Sequence, residues 1–115
     1  MPANTISVFD PEEALSIVDG DKDLFQELVD IFRQNYPGEL SSIREAIGLR
    51  DPEALRQAAH HFKGTLSTLA AGPARQSALR LEQIGRDADL GQANTIYTEM
   101  EQQVCALDEA LKRWK

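Results

Sequence analysis

The chain has 115 residues, enough for one hydrophobic core and not for two. Its 12 Lys and Arg against 19 Asp and Glu leave a formal net charge of -7, which repels nucleic acid and anionic lipid and favours neutral or basic protein partners. The single cysteine, Cys105, permits neither an internal disulfide nor a cysteine-based zinc site, and no apolar run approaches the roughly 20 residues of a membrane span.

In chain order, residues 1–9 read as a flexible lead-in to one domain over residues 10–115. Asp10 caps a short helix with Pro11 at its first position and Glu12 and Glu13 set against the helix dipole. That helix stops near Asp19-Gly20. Asp21 restarts a helix in which Leu24, Phe25, Leu28, Val29, Ile31 and Phe32 recur at helical spacing. Pro37-Gly38 predicts a kink or a brief break, after which Leu40, Ile43 and Ile47 resume the stripe as far as Gly48.

Asp51-Pro52-Glu53 is a strong helix start. The helix it opens has Leu55, Ala59, Phe62, Leu66 and Leu69 on one narrow face. Ala70-Ala71-Gly72-Pro73 reads as a turn, and a further helix points Ala74, Ala78, Leu81 and Ile84 inward. Gly91 separates it from a last helix carrying Ala93, Ile96, Tyr97, Met100, Val104, Leu107, Leu111 and Trp114. No segment alternates with the period of a strand. The pattern predicts an all-α fold, an antiparallel four-helix bundle with a short additional N-terminal helix.

One patch does not serve the core. On a wheel of 100° per residue, His60 points about 140° away from the apolar face of its helix. Lys63, Gly64 and Ser67 follow it at i+3, i+4 and i+7 along the same outer strip, and Arg56 precedes it by one turn. His61 points to another side, so the two imidazoles do not converge. Two diverging histidines with no thiolate nearby do not make a metal site, and no Ser-His-acid arrangement is evident. An exposed imidazole is a free nucleophile at neutral pH. A dianionic phosphoryl group placed on it would meet the Lys63 ammonium one turn on. Gly64 costs about 1 kcal/mol relative to alanine in a helix interior. An exposed histidine is ordinarily only a surface residue, and a helical glycine is often a packing contact. The cost at Gly64 instead makes sense if another protein must close over His60.

Ala59-His60-His61-Phe62-Lys63-Gly64 resembles the Ala-His-x-Leu-Lys-Gly motif of histidine-containing phosphotransfer domains, with Phe62 in place of leucine. That family relays phosphoryl groups between receiver domains in two-component signalling. The resemblance covers nearly the whole chain, including the acidic turn at Gly20-Asp21 and the Leu81-Glu82 pair, and it sets Glu82 where family members often have a polar residue near the histidine. A second glycine of the family pattern is Ala70 here, and a small polar position before it is Thr68.

The resemblance implies that His60 is the phosphoacceptor, taking a phosphoryl group from a receiver aspartyl phosphate, usually on Nε2, and passing it reversibly to another receiver aspartate. Lys63 would stabilise the phosphate and Gly64 would give the receiver access. Arg56, His61, Ser67, Arg75 and Glu82 would contribute to the partner surface. It also implies no cofactor bound by this chain, with Mg²⁺ in the receiver partner. The chain would be a carrier without kinase activity of its own, a cytoplasmic monomer or the cytoplasmic domain of a membrane-bound kinase. Its partners would be response-regulator receiver domains and a hybrid sensor kinase. The rival reading is a non-catalytic module that binds or sequesters a receiver.

Overall fold

The computed structural model describes residues 8–113, so residues 1–7 of the expected lead-in and the expected core residue Trp114 lie outside the described residues. Helix starts follow the capping chemistry. The Asp10 carboxylate accepts from the N–H of Glu12 and Glu13 at 3.1 and 3.2 Å, opening α1 (Pro11–Ile17). Asp21 accepts from Leu24 N–H at 3.0 Å and opens α2 (Lys22–Gly48). Asp51 accepts from Ala54 N–H at 3.1 Å and opens α3 (Pro52–Ser67). α4 (Gly72–Asp87) begins at Gly72-Pro73 without a side-chain cap. Gly91 lies inside a short 3₁₀ turn, Leu90–Gln92, that leads directly into α5 (Ala93–Arg113).

The fold is all-α, with α2 to α5 forming the bundle and α1 as the short leading helix. Short connections make neighbours antiparallel. Phe25 and Phe32 of α2, Leu55, Phe62 and Leu66 of α3, Leu81 of α4, and Met100 and Leu107 of α5 are fully buried between the helices. Each such side chain contributes about 1.5–3 kcal/mol through burial, which holds helices that would be marginal alone. α1 is tied to the turn between α3 and α4, where Asp10 N–H donates to Ala70 O at 3.1 Å. Phe9, placed by the sequence in the lead-in, is buried in the core, as are Ala14 and Val18. Among the described residues no helix is long and apolar enough to cross a membrane.

The structure departs from the sequence reading at three places. α2 runs unbroken through Pro37. The proline lies on the exposed side of the helix, as does Arg33 one turn before it, while Phe32 and Leu40 hold both flanks in the core. Leu24 and Ile31 are 41% and 53% exposed, because the apolar stripe of α2 is wider than the face its neighbours cover. Ile84 is only half-buried.

α3 and α4 form the closest pair, and one glycine permits it. A Cβ on Gly85 would lie 2.7 Å from both Arg56 N and Pro52 O, so the two backbones meet there with no room for a side chain.

Candidate functional site

The close approach at Gly85 sets the neighbouring turn of α4 beneath the outer strip of α3. Glu82, one turn before Gly85, is only 4% exposed. His60 stands above it with its side chain 64% exposed, and its Nδ1 lies 2.9 Å from Glu82 Oε2. Lys63 Nζ sits 2.8 Å from the other oxygen, Oε1, as an ion pair off the hydrogen-bonding direction. Arg86, on the next turn of α4, brings a guanidinium nitrogen to 3.7 Å from Oε2. One covered carboxylate therefore anchors an imidazole and two cations.

Burial pushes the Glu82 carboxyl up, but the Lys63 ammonium and the His60 ring outweigh it and hold the group below its ordinary value. An ionised carboxylate only accepts hydrogen bonds. The Nδ1 that faces it must then carry the ring proton and donate, which leaves the lone pair of the neutral imidazole on Nε2. The anchored nitrogen faces Glu82, and the opposite, basic one belongs to the exposed part of the ring.

Gly64 lies one turn beyond His60. A Cβ built there would meet nothing within 4 Å, so no contact inside the described chain requires a glycine. The helix carries its cost of about 1 kcal/mol without any packing return.

The other residues singled out by the sequence fall elsewhere. Arg56 is half-buried and bound to Glu53 on its own helix through both side-chain ends. His61 leans the other way, toward α2, with Nε2 3.5 Å from Glu39 Oε1. Ser67 Oγ donates to the Lys63 carbonyl at 3.0 Å and accepts from Arg75 Nε at 2.8 Å, a half-buried brace between α3 and α4. Glu82 is not part of an exposed surface; it is covered by His60 and Lys63 and holds them.

Sequence reasoning missed Arg86, although it stands at i+4 from Glu82 as a helical ion-pair partner should. Among the described residues no group of three or more His, Cys, Asp or Glu is placed to hold a metal ion. Cys105 is free and exposed.

Comparison with known proteins bears on the family and the fold. The family model of the Hpt domain matches residues 27–113, well over half of the chain. Among solved structures the chain resembles the histidine-containing phosphotransfer protein B, HptB, of Pseudomonas aeruginosa PAO1. The TM-score is 0.87 at 25% identity, over 96% of this chain and 99% of that one. Comparison with curated protein sequences returns no match. A motif-bearing histidine on a bundle of this shape, with the family model spanning four of its five helices, places this chain in the Hpt domain family, whose members carry phosphoryl groups in two-component phosphorelays.

Proposed function

We propose that His60 is the phosphoryl carrier, accepting the group from the aspartyl phosphate of a receiver domain and returning it to another receiver aspartate. The observation that carries this reading is the anchoring of Nδ1 by Glu82, which gives Nε2 the lone pair on an exposed ring. That lone pair attacks phosphorus, the bond from phosphorus to the aspartate oxygen breaks, and its electron pair leaves with the aspartate carboxylate. No proton has to be lost, because Nε2 carries none. Lys63, with its side chain 22% exposed, and Arg86 are paired with the carboxylate that holds the ring, and they would turn toward the phosphoryl oxygens. A Mg²⁺ ion in the receiver's acidic site would supply the remaining charge neutralisation.

The receiver is the partner whose acidic site fits a ridge carrying Lys63, Arg56 and Arg86. α2 offers an apolar complement to this ridge. Glu39 marks the side of α2 that faces the α3 ridge, and Leu24, Leu28 and Ile31 lie on that side roughly two to four turns nearer the start of the helix. Leu24 and Ile31 are exposed there, as is Ile17 at the end of α1 (48%), so they offer apolar side chains to a partner, whereas Leu28 is partly buried against the core.

Incubation with a phosphorylated receiver tests the reading. The chain is expected to take up an acid-labile, base-stable label that His60→Gln abolishes and His61→Gln leaves intact. Receiver binding that persists in His60→Gln, with no label on the unaltered chain, would support the sequestering module instead.

A further inference from the structure

We propose that Glu82 keeps the phosphorylated ring of His60 protonated at Nδ1, and so determines how readily the phosphoryl group leaves. This deepens the reading of His60 as the carrier and rests on it.

The argument begins with what transfer does to the ring. Neutral imidazole with its proton on Nδ1 becomes a cation once Nε2 bonds to phosphorus, since no proton departs. Return of the group breaks the bond between Nε2 and phosphorus and leaves the electron pair on Nε2. From the protonated ring the leaving group is neutral imidazole. From a ring that has lost its Nδ1 proton it would be imidazolate, a far poorer leaving group. Lability therefore follows the Nδ1 proton.

Glu82 is built to keep that proton. Its Oε2 lies 2.9 Å from Nδ1, and the side chain is only 5% exposed, so with the ring in place little of it is open to water. The charged groups that face it are Lys63 and Arg56 on α3 and Arg86 on its own helix. A phosphoryl group on Nε2 draws Lys63 and Arg86 toward its oxygens, which thins the counter-charge around the carboxylate. The donor that remains is Nδ1–H, and a covered carboxylate without a donor is costly. The attractions of the phosphoryl group for the cations and of Glu82 for the proton thus reinforce one another. Glu82 touches neither phosphorus nor the acceptor, so it is a positioning residue.

Glu82→Gln separates charge from shape. The amide keeps the volume and can still accept from Nδ1, but it carries no charge to hold the proton. Unaltered and variant chains can be loaded with phosphoramidate, which needs no receiver, and the loss of label followed from pH 5 to pH 9. In the variant, lability is expected to fall away at lower pH, so that at pH 8 the label persists several-fold longer, on the order of tenfold for each unit by which proton affinity drops. Glu82→Asp, which keeps the charge, should lie nearer the unaltered chain. An unchanged profile, or a shorter lifetime in Glu82→Gln at pH 8, overturns the proposal.

A second measurement needs no variant. The ¹⁵N spectrum of the loaded chain should show Nδ1 still protonated at a pH where phosphohistidine in an unstructured peptide has lost that proton. Loss at the same pH as in the peptide also overturns the proposal. Absence of any label on His60 in the unaltered chain is a different failure, that of the carrier reading itself.

Discussion

His60 and His61 are neighbours in sequence, both exposed, and each stands beside a glutamate from another helix, yet the two pairs differ in every property that matters for chemistry. Glu82 lies 2.9 Å from its histidine, is joined by Lys63 and Arg86, and is held below its ordinary value once those partners offset burial. Glu39 lies 3.5 Å from its histidine, and burial pushes its carboxyl up with only His61 opposing. The first pair fixes a tautomer; the second is a longer contact in which burial works against the charged carboxylate. What separates them is the packing of their helices. α4 meets α3 backbone to backbone at Gly85, which brings Glu82 under the ring, while α2 packs less extensively against α3.

The largest expected effect comes from breaking that approach. Gly85→Ala forces α4 away from Pro52 and Arg56, costing about 1–3 kcal/mol in denaturant unfolding. It should also lower the uptake of label by drawing Glu82 from His60.

A matched pair of substitutions then sharpens the contrast between the carboxylates. For Glu82, the folded-state value lies below the ordinary 4.5, so its stabilisation is present above 4.5 and is lost as pH falls through the folded value. Glu82→Gln is therefore expected to cost about 1–2 kcal/mol at pH 7 and progressively less below pH 4.5, because the group is covered but shallow. For Glu39 the folded-state value lies above the ordinary 4.5, so the folded state holds its proton longer, and ionisation costs stability as pH rises through that window. Glu39→Gln should be neutral or slightly stabilising at pH 7, within about 0.5 kcal/mol. Denaturation curves at pH 4 and pH 7 check both signs, and equal costs for the two variants would erase the distinction.

The smallest effect concerns the other glycine. Gly64→Ala fills open space on a helix and should stabilise the chain by about 0.5–1 kcal/mol in thermal unfolding, while slowing transfer from a receiver. Destabilisation would mean that Gly64 serves packing after all.

Much of this was legible in the sequence because its causes are local. Asp10-Pro11, Asp21 and Asp51-Pro52 each cap a helix where their chemistry placed it, and the wheel turned His60 away from the Leu55-Ala59-Phe62 face. What escaped depends on how helices pack. The resemblance set Glu82 near the histidine but on the partner surface; what escaped is that it is covered, although it stands four residues after Ala78 and three before Gly85, both buried, so its place on the wheel of α4 was the available signal. Arg86 became meaningful only once Glu82 was found inside. Leu24 and Ile31 carry the same apolar signal as Phe25, and nothing local says which flank of α2 its neighbours leave bare. Ala70 and Ala88 take the left-handed backbone, with φ of 53° and 58°, where the usual marker would be a glycine.

The central claim, that the anchored ring of His60 carries the phosphoryl group through Nε2, is tested most directly by locating that group. The chain is loaded from a phosphorylated receiver and examined by ³¹P and ¹⁵N magnetic resonance with fragment mass spectrometry. A single phosphoryl group on Nε2 of His60, with His61 unmodified and a proton on Nδ1, is the expected result. Phosphorus on Nδ1, on His61 or on neither histidine would contradict it.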